Sequence, residues 1–252
     1  MCTVLVSIDP HSPVPVLLAG VRDEFSERPW RAPGAHWPQW PDVLAGQDLR
    51  AGGTWFAVDP RRARVAAILN GFGRHAAEDV RLSRGELPLR AAAEGLAPRD
   101  LDRYDPFHLL LATASGVRLW SWDGTDLVDQ SLTPGLHIVA NTGLDGVGHE
   151  RFAPPAAASD IAARLAYFGP RLLAARRPEP RAGSTAQAWG DWLPLIAGDG
   201  LDPADARALL VRREFPESGV WGSSSVSLAA LTPEGVRYDF APVPELRWER
   251  IK

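Results

Sequence analysis

Cys2 is the only cysteine in the 252-residue chain, and it stands where removal of the initiator methionine would leave it as the first residue. A cysteine with a free α-amino group carries a nucleophile and a base on one residue. The amine titrates at ~8 and a free thiol at ~8.5. A neutral amine can therefore take the thiol proton without a histidine, a known way of activating a nucleophile. Thr3-Val4-Leu5-Val6-Ser7-Ile8 follows as a β-branched, apolar run, expected to hold Cys2 at the end of a buried strand.

Other residues have types suited to the same chemistry. Residues 15–19 read as a second strand, returning from the breaker-rich turn Asp9-Pro10-His11-Ser12-Pro13 and running into Gly20-Val21-Arg22-Asp23-Glu24-Phe25. Antiparallel pairing brings Arg22 and Asp23 back towards Cys2. There an arginine lowers a thiol pKa and a carboxylate can hold the arginine or the ammonium group; the plainer reading of the triplet is a solvated strand end. Asn70 and Asn141 each fall at a strand exit, where a side-chain amide can donate to a developing oxyanion and where Asn is also a common turn residue. Trp30, Trp37 and Trp40 interleave with prolines in a loop that is neither helix nor good strand, and Trp55 follows two glycines. These rings are expected to cover either the body of the protein or a ligand.

The elements that must position these groups arrive in batches. Strands are expected over residues 51–58 and 64–69, then helices over 86–94 and 99–104. Four strands follow at 107–113, 117–122, 126–131 and 135–140. A long helix over 159–177, broken near Gly169-Pro170, precedes shorter helices at 188–196 and 203–212, and strands at 219–231, 236–241 and 246–250 close the chain. Antiparallel batches argue for a layered α+β fold and against a Rossmann or barrel fold. No Gly/Ser linker or charge block divides the sequence, so residues 1–252 are expected to form one domain.

Composition excludes several function classes. A net charge of −4 and 45% hydrophobic residues give no basic surface for nucleic acid or anionic membranes. No apolar run is long enough for a transmembrane segment and no leader pattern is present. One cysteine makes no internal disulfide, which fits a reducing, cytoplasmic compartment. The six histidines lack metal-ligand spacing and are expected at the surface or as caps, and Ser223-Ser224-Ser225 lacks the Gly-x-Ser-x-Gly elbow. No metal and no cofactor is expected; the expected partner is a small-molecule ligand or substrate.

The sequence resembles the NRDE-motif family, also called the transport and Golgi organisation protein 2 family. The resemblance is carried by Met1-Cys2-Thr3-Val4, by Leu18-Ala19-Gly20-Val21-Arg22-Asp23-Glu24-Phe25, by Arg28-Pro29-Trp30, and by Ala51-Gly52-Gly53-Thr54-Trp55. Asn141-Thr142-Gly143-Leu144-Asp145 and Trp221-Gly222-Ser223-Ser224-Ser225 complete it, in the family's order. It implies a four-layer αββα sandwich of N-terminal-nucleophile hydrolase type, and a distant likeness to cholylglycine hydrolases. Cys2 would then be nucleophile and, through its amine, base. Arg22 and Asp23 would orient and polarise, and Asn70 and Asn141 would bind the oxyanion or the amine.

Three positions depart from the family pattern. Val21 stands where the motif has asparagine, Gly146-Val147-Gly148 where Trp-Pro-Lys is frequent, and Ser224 where bacterial relatives often carry arginine. Two functions remain in view. One is an amidohydrolase acting on a small amide or N-acyl compound through a Cys2 thioester. The other is a non-catalytic carrier for an apolar ligand such as haem or an acyl lipid, held by Trp30, Trp37, Trp40 and Trp55.

Overall fold

Alternation along the first strand sets the layout. In β1 (Thr3–Ile8), Val4, Val6 and Ile8 pack into one apolar cluster and Leu5 into another, so both faces of the strand are covered. The structure, a computed structural model, describes residues 3–252. Cys2 therefore lies outside the described residues.

Two antiparallel sheets carry the fold. The N-terminal half contributes β1, β2 (Val16–Phe25), β3 (Trp30–Gly34), β4 (Leu44–Asp48), β5 (Phe56–Asp59) and β6 (Arg64–Asn70). After helix α1 (Leu87–Glu94) come β7 (Phe107–Thr113), β8 (Gly116–Trp122), β9 (Leu127–Ser131), β10 (Gly135–Ala140), β11 (Gly143–Leu144) and β12 (Val147–Gly148). Helices α2 (Pro155–Ala174), α3 (Thr185–Trp189) and α4 (Trp192–Ile196) lead into β13 (Arg212–Phe215), β14 (Gly219–Thr232), β15 (Gly235–Pro242) and β16 (Glu249–Ile251).

Among the described residues one sheet runs β12-β11-β10-β1-β2-β14-β15-β16, with β13 on β14, and the other runs from β3 through β9 in sequence order. β1 is thus central, between β10 and β2, and the long C-terminal β14 pairs with β2. One apolar cluster joins the inner faces of the two sheets, with Val4, Val6 and Leu18 against Phe56, Val65 and Leu110. A second seats Phe168, Leu172, Trp189 and Ile196 on the outer face of the first sheet. A third seats α1 through Leu89, Ala91 and Ala92 on the outer face of the other. No helix of the described residues is long and apolar enough to cross a membrane.

Several elements differ from expectation, each for a local reason. Trp30–Gly34 is a strand, but an edge one with an irregular register around Pro33, where the missing N–H does no harm. Residues 51–55 are a turn because Asp48 Oδ1 accepts from the backbone N–H groups of Arg50 and Ala51 at 3.0 and 2.9 Å, so the strand starts only at Phe56. Helix α2 runs unbroken through Pro170. The proline is exposed, so water can serve the freed carbonyl, while Phe168 and Leu172 anchor the turns on either side. The helix expected over 203–212 is replaced by turns. Asp202 and Asp205 each accept at 2.8 Å from an N–H two residues on, diverting the backbone from a helical ladder.

Candidate functional site

The register of β1 with its two neighbours fixes which residues meet at its start. Thr3 pairs with Ala140 on one side and Val21 on the other, so the chain neighbours of those partners, Asn141 and Arg22, flank the strand's beginning. Thr3 is itself buried and its Oγ1 accepts from Arg164 Nη1 at 3.1 Å, which fastens α2 to the start of β1.

Strand alternation sends Arg22 and Asp23 to opposite faces of β2. Leu18 belongs to the inter-sheet cluster, whereas Leu17, Ala19 and Val21 belong to the helix-side cluster. Arg22 follows the first set. Its guanidinium lies 4.4 Å from the centre of the Trp55 ring, and its Nη1 donates to Ser224 Oγ at 2.9 Å. Asp23 follows the second set, with Oδ1 accepting from Ser223 Oγ at 2.6 Å. The hairpin brings both residues to one end of the sheet, and the pleat gives each a separate environment.

Arg22 opens onto a cavity of about 610 Å³ between the end of β2, the 48–55 turn and residues 81–85. Trp55 and Asn70 line it, as does Asp48, which takes Arg28 Nε at 2.6 Å and Arg22 Nη2 at 3.3 Å. Burial alone would raise the Asp48 carboxyl. The hydrogen bonds from Arg28 and from the Ala51 and Arg50 amides outweigh it and hold the group below the usual carboxylate range. Burial draws the Arg22 guanidinium down from its ordinary value, against the opposing pull of Glu24 and Asp48.

The two asparagines meet. Asn141 Nδ2 donates to the Asn70 carbonyl at 2.7 Å, joining the exits of β10 and β6 across the two sheets. Asp145, the end of the same sequence motif, accepts from Ile138 N–H at 2.9 Å and so shapes the turn beyond Asn141.

Of the tryptophans, only Trp55 borders the cavity. Trp30 packs edge-on between Trp55 and Phe240, each at 5.9 Å. Trp37 is buried in the α1 cluster with Nε1 donating to Gly52 O at 2.9 Å, and Trp40 reaches Glu94 at 3.2 Å. Trp37 and Trp40 thus cover the body of the protein.

His108 and His149 correct the expectation of surface histidines. Both are buried, with ring centres 4.3 Å apart. His108 Nδ1 meets Ser121 Oγ at 2.9 Å and its Nε2 meets the Asn141 carbonyl at 3.2 Å. It therefore props the residue that bridges to Asn70. The available signal was a histidine inside the apolar run Phe107-His108-Leu109-Leu110-Leu111. Arg28, Asp48 and Arg84 carried no comparable signal as a group, because their meeting depends on turns distant in sequence.

Burial, reinforced by His149, lowers the His108 pKa to about 3. Below pH ~6.5 the unfolded chain takes up a proton that the folded protein refuses until about pH 3, so stability falls as pH drops through that window. Denaturant midpoints should fall between pH 7 and pH 5. His108→Gln is expected to flatten the dependence by about 1–2 kcal/mol over those two units. An unchanged pH slope in the variant would show that His108 is not held neutral.

A family model described as Transport and Golgi organisation 2 matches residues 1–153, more than half of the chain. No curated protein matches the chain. The matched span holds Arg22, Asp23, Asn70 and Asn141, and the chain belongs to the Transport and Golgi organisation 2 family.

Proposed function

We propose that this protein is an N-terminal-cysteine amidohydrolase acting on a small amide or N-acyl compound, built on the four-layer αββα sandwich of N-terminal-nucleophile hydrolases. What supports the reading is that Arg22 and Asn141 flank the start of β1, with Asn141 tied to the Asn70 main-chain carbonyl and Arg22 and Asn70 lining an open cavity. The even-numbered positions of the described strand face that same inter-sheet side. Helix-bearing clusters on both outer sheet faces support the fold, and the β2–β14 pairing supports one domain that continues past residue 153.

In this reading Met1 is removed and the freed amine of Cys2 takes the thiol proton. The thiolate attacks the amide carbon, and the same amine returns the proton to the departing nitrogen as the C–N bond breaks. Water then hydrolyses the thioester, restoring the thiol. Arg22 supplies positive charge beside the nucleophile, lowering the thiol pKa. Asn141 has one amide hydrogen on Asn70 and a second to offer an oxyanion. Asp23, on the far face of β2, orients the strand end through Ser223. Val21 is buried among the helix-side residues, so its alkyl group costs the cavity no donor. The chemistry fits a reducing compartment such as the cytoplasm, because the thiol must stay free.

A carrier of an apolar ligand is the second reading, favoured by Trp55, Ile68 and Leu82 along the cavity wall. The arginines on the same wall make the hydrolase of a polar amide the better fit. The test is amine release from a panel of N-acyl compounds by protein purified without an N-terminal tag. The mature protein is expected to have lost Met1 and to release amine. Full retention of Met1 in an active preparation would end the N-terminal-cysteine mechanism.

A further inference from the structure

The cavity is lined by five arginines, Arg22, Arg28, Arg50, Arg81 and Arg84, against three carboxylates, in a chain whose overall charge is −4. Each carboxylate is already engaged. Asp48 takes Arg22 and Arg28, Glu24 lies 3.6 Å from Arg28, and Asp105 takes Arg81 at 3.3 Å and His75 at 3.2 Å. Arg50 and Arg84 have no carboxylate at ion-pair distance among the described residues, and of the two Arg84 is the more enclosed. Its Nη1 donates to the Pro106 carbonyl at 2.7 Å, and Asp105 acts on it only at longer range.

The wall around Arg84 is built to hold still. Thr54 N–H donates to the Gly85 carbonyl at 2.8 Å, and Gly53 packs directly on Gly85. A Cβ at position 53 would sit 2.6 Å from Gly85 O, so only glycine permits the approach. Gly53→Ala is expected to lower the denaturant unfolding midpoint. A variant as stable as wild type would show that the turns are not locked together.

Burial draws the Arg84 guanidinium down from its ordinary value, the mark of a cation held partly out of water. Such a group keeps its charge, and its planar fork of donors matches the geometry of a carboxylate or phosphate. We propose that this wall is a subsite for an oxyanionic substituent of the substrate, with Arg84 as its principal ligand and Arg22, Arg28 and Arg81 adding field. Trp55 and Ile68 take the apolar body beside it. The substrate class is then an acyl amide bearing a carboxylate or phosphate. The amide part rests on the amidohydrolase reading; the anion subsite does not.

Three congeners separate the possibilities: N-octanoylglycine, N-octanoylethanolamine phosphate and neutral N-octanoylethanolamine. Binding is read by tryptophan fluorescence on wild type and on Cys2→Ala, so that affinity is measured apart from turnover. At least one anionic congener is expected to bind tenfold or more above the neutral one, by the strength of a charge-assisted hydrogen bond of ~1.5–3 kcal/mol. The tighter of the two names the anion. The preference should shrink with salt and largely vanish in Arg84→Gln.

Should that variant fold poorly, Arg84→Lys keeps the stem and charge while losing the fork, and it should retain only part of the preference. Equal binding of neutral and anionic congeners by wild type, or an undiminished preference in Arg84→Gln, would overturn the subsite. An anion preference without amine release would retain the subsite and remove the hydrolase; release without preference would do the reverse.

Discussion

Cys2→Ala should reduce amide turnover by roughly three orders of magnitude or more while leaving substrate affinity within about twofold. The thiol forms the bond that defines the reaction path and adds little to ground-state binding, so the loss falls on kcat. Arg22→Ala tests the supporting role. Its guanidinium lies on the inter-sheet side over Trp55, held by Asp48 and Ser224. Removing it should slow alkylation of Cys2 by iodoacetamide at pH 7, with no background from other thiols because the chain has no other cysteine. Turnover unaffected by Cys2→Ala would remove Cys2 as the nucleophile, and binding without release by the wild type would transfer the function to the carrier reading.

Asp239→Ala should destabilise the fold by about 3–5 kcal/mol, a large part of the ~5–15 kcal/mol typical of a domain. Asp239 is fully buried on β15 and serves three side chains. It accepts from Arg237 Nε at 2.6 Å and Nη2 at 3.0 Å, from Thr185 Oγ1 at 2.9 Å and from Trp189 Nε1 at 3.0 Å. Truncation leaves the buried Arg237 charge uncompensated and frees α3 from the sheet. Urea unfolding reads the loss as a lower midpoint. Asp239→Asn, which keeps the size and some acceptors, should lose less. Equal stability of wild type and Asp239→Ala would mean that α3 is held by apolar packing alone.

Much of the fold was legible where alternation is strict. β1, β6, β7, β8, β10 and β14 follow their apolar runs, and α1 ends at Gly95, whose φ of 73° is the left-handed cap expected of glycine. Legibility failed where a tertiary contact overrode local composition. Trp30 reads as loop beside its prolines yet pairs with Asp48 at a sheet edge. Residues 203–212 read as a helix, while Asp202 and Asp205 turn the chain instead.

The site divides in the same way. Arg22, Asp23, Asn70 and Asn141 could be named because each sits at a strand end marked in sequence. That Arg22 and Asp23 face apart follows from the pleat and was available to the same reading. Arg84 could not be found from sequence. Its place depends on Gly53 meeting Gly85 across more than thirty residues, with no periodic signal between them. Trp37 and Trp40 read as covering either the body or a ligand, and their place beside α1 was not legible, since a proline-rich aromatic segment gives no direction.

The most direct measurement is the intact mass of the protein quenched in acid during turnover of an N-acyl substrate. A chain lacking Met1 should show a species heavier by one acyl group, localised to Cys2, present only while substrate remains and absent from Cys2→Ala. Amine release with the protein mass unchanged throughout, or an acyl adduct on any residue other than Cys2, would contradict the N-terminal-cysteine mechanism.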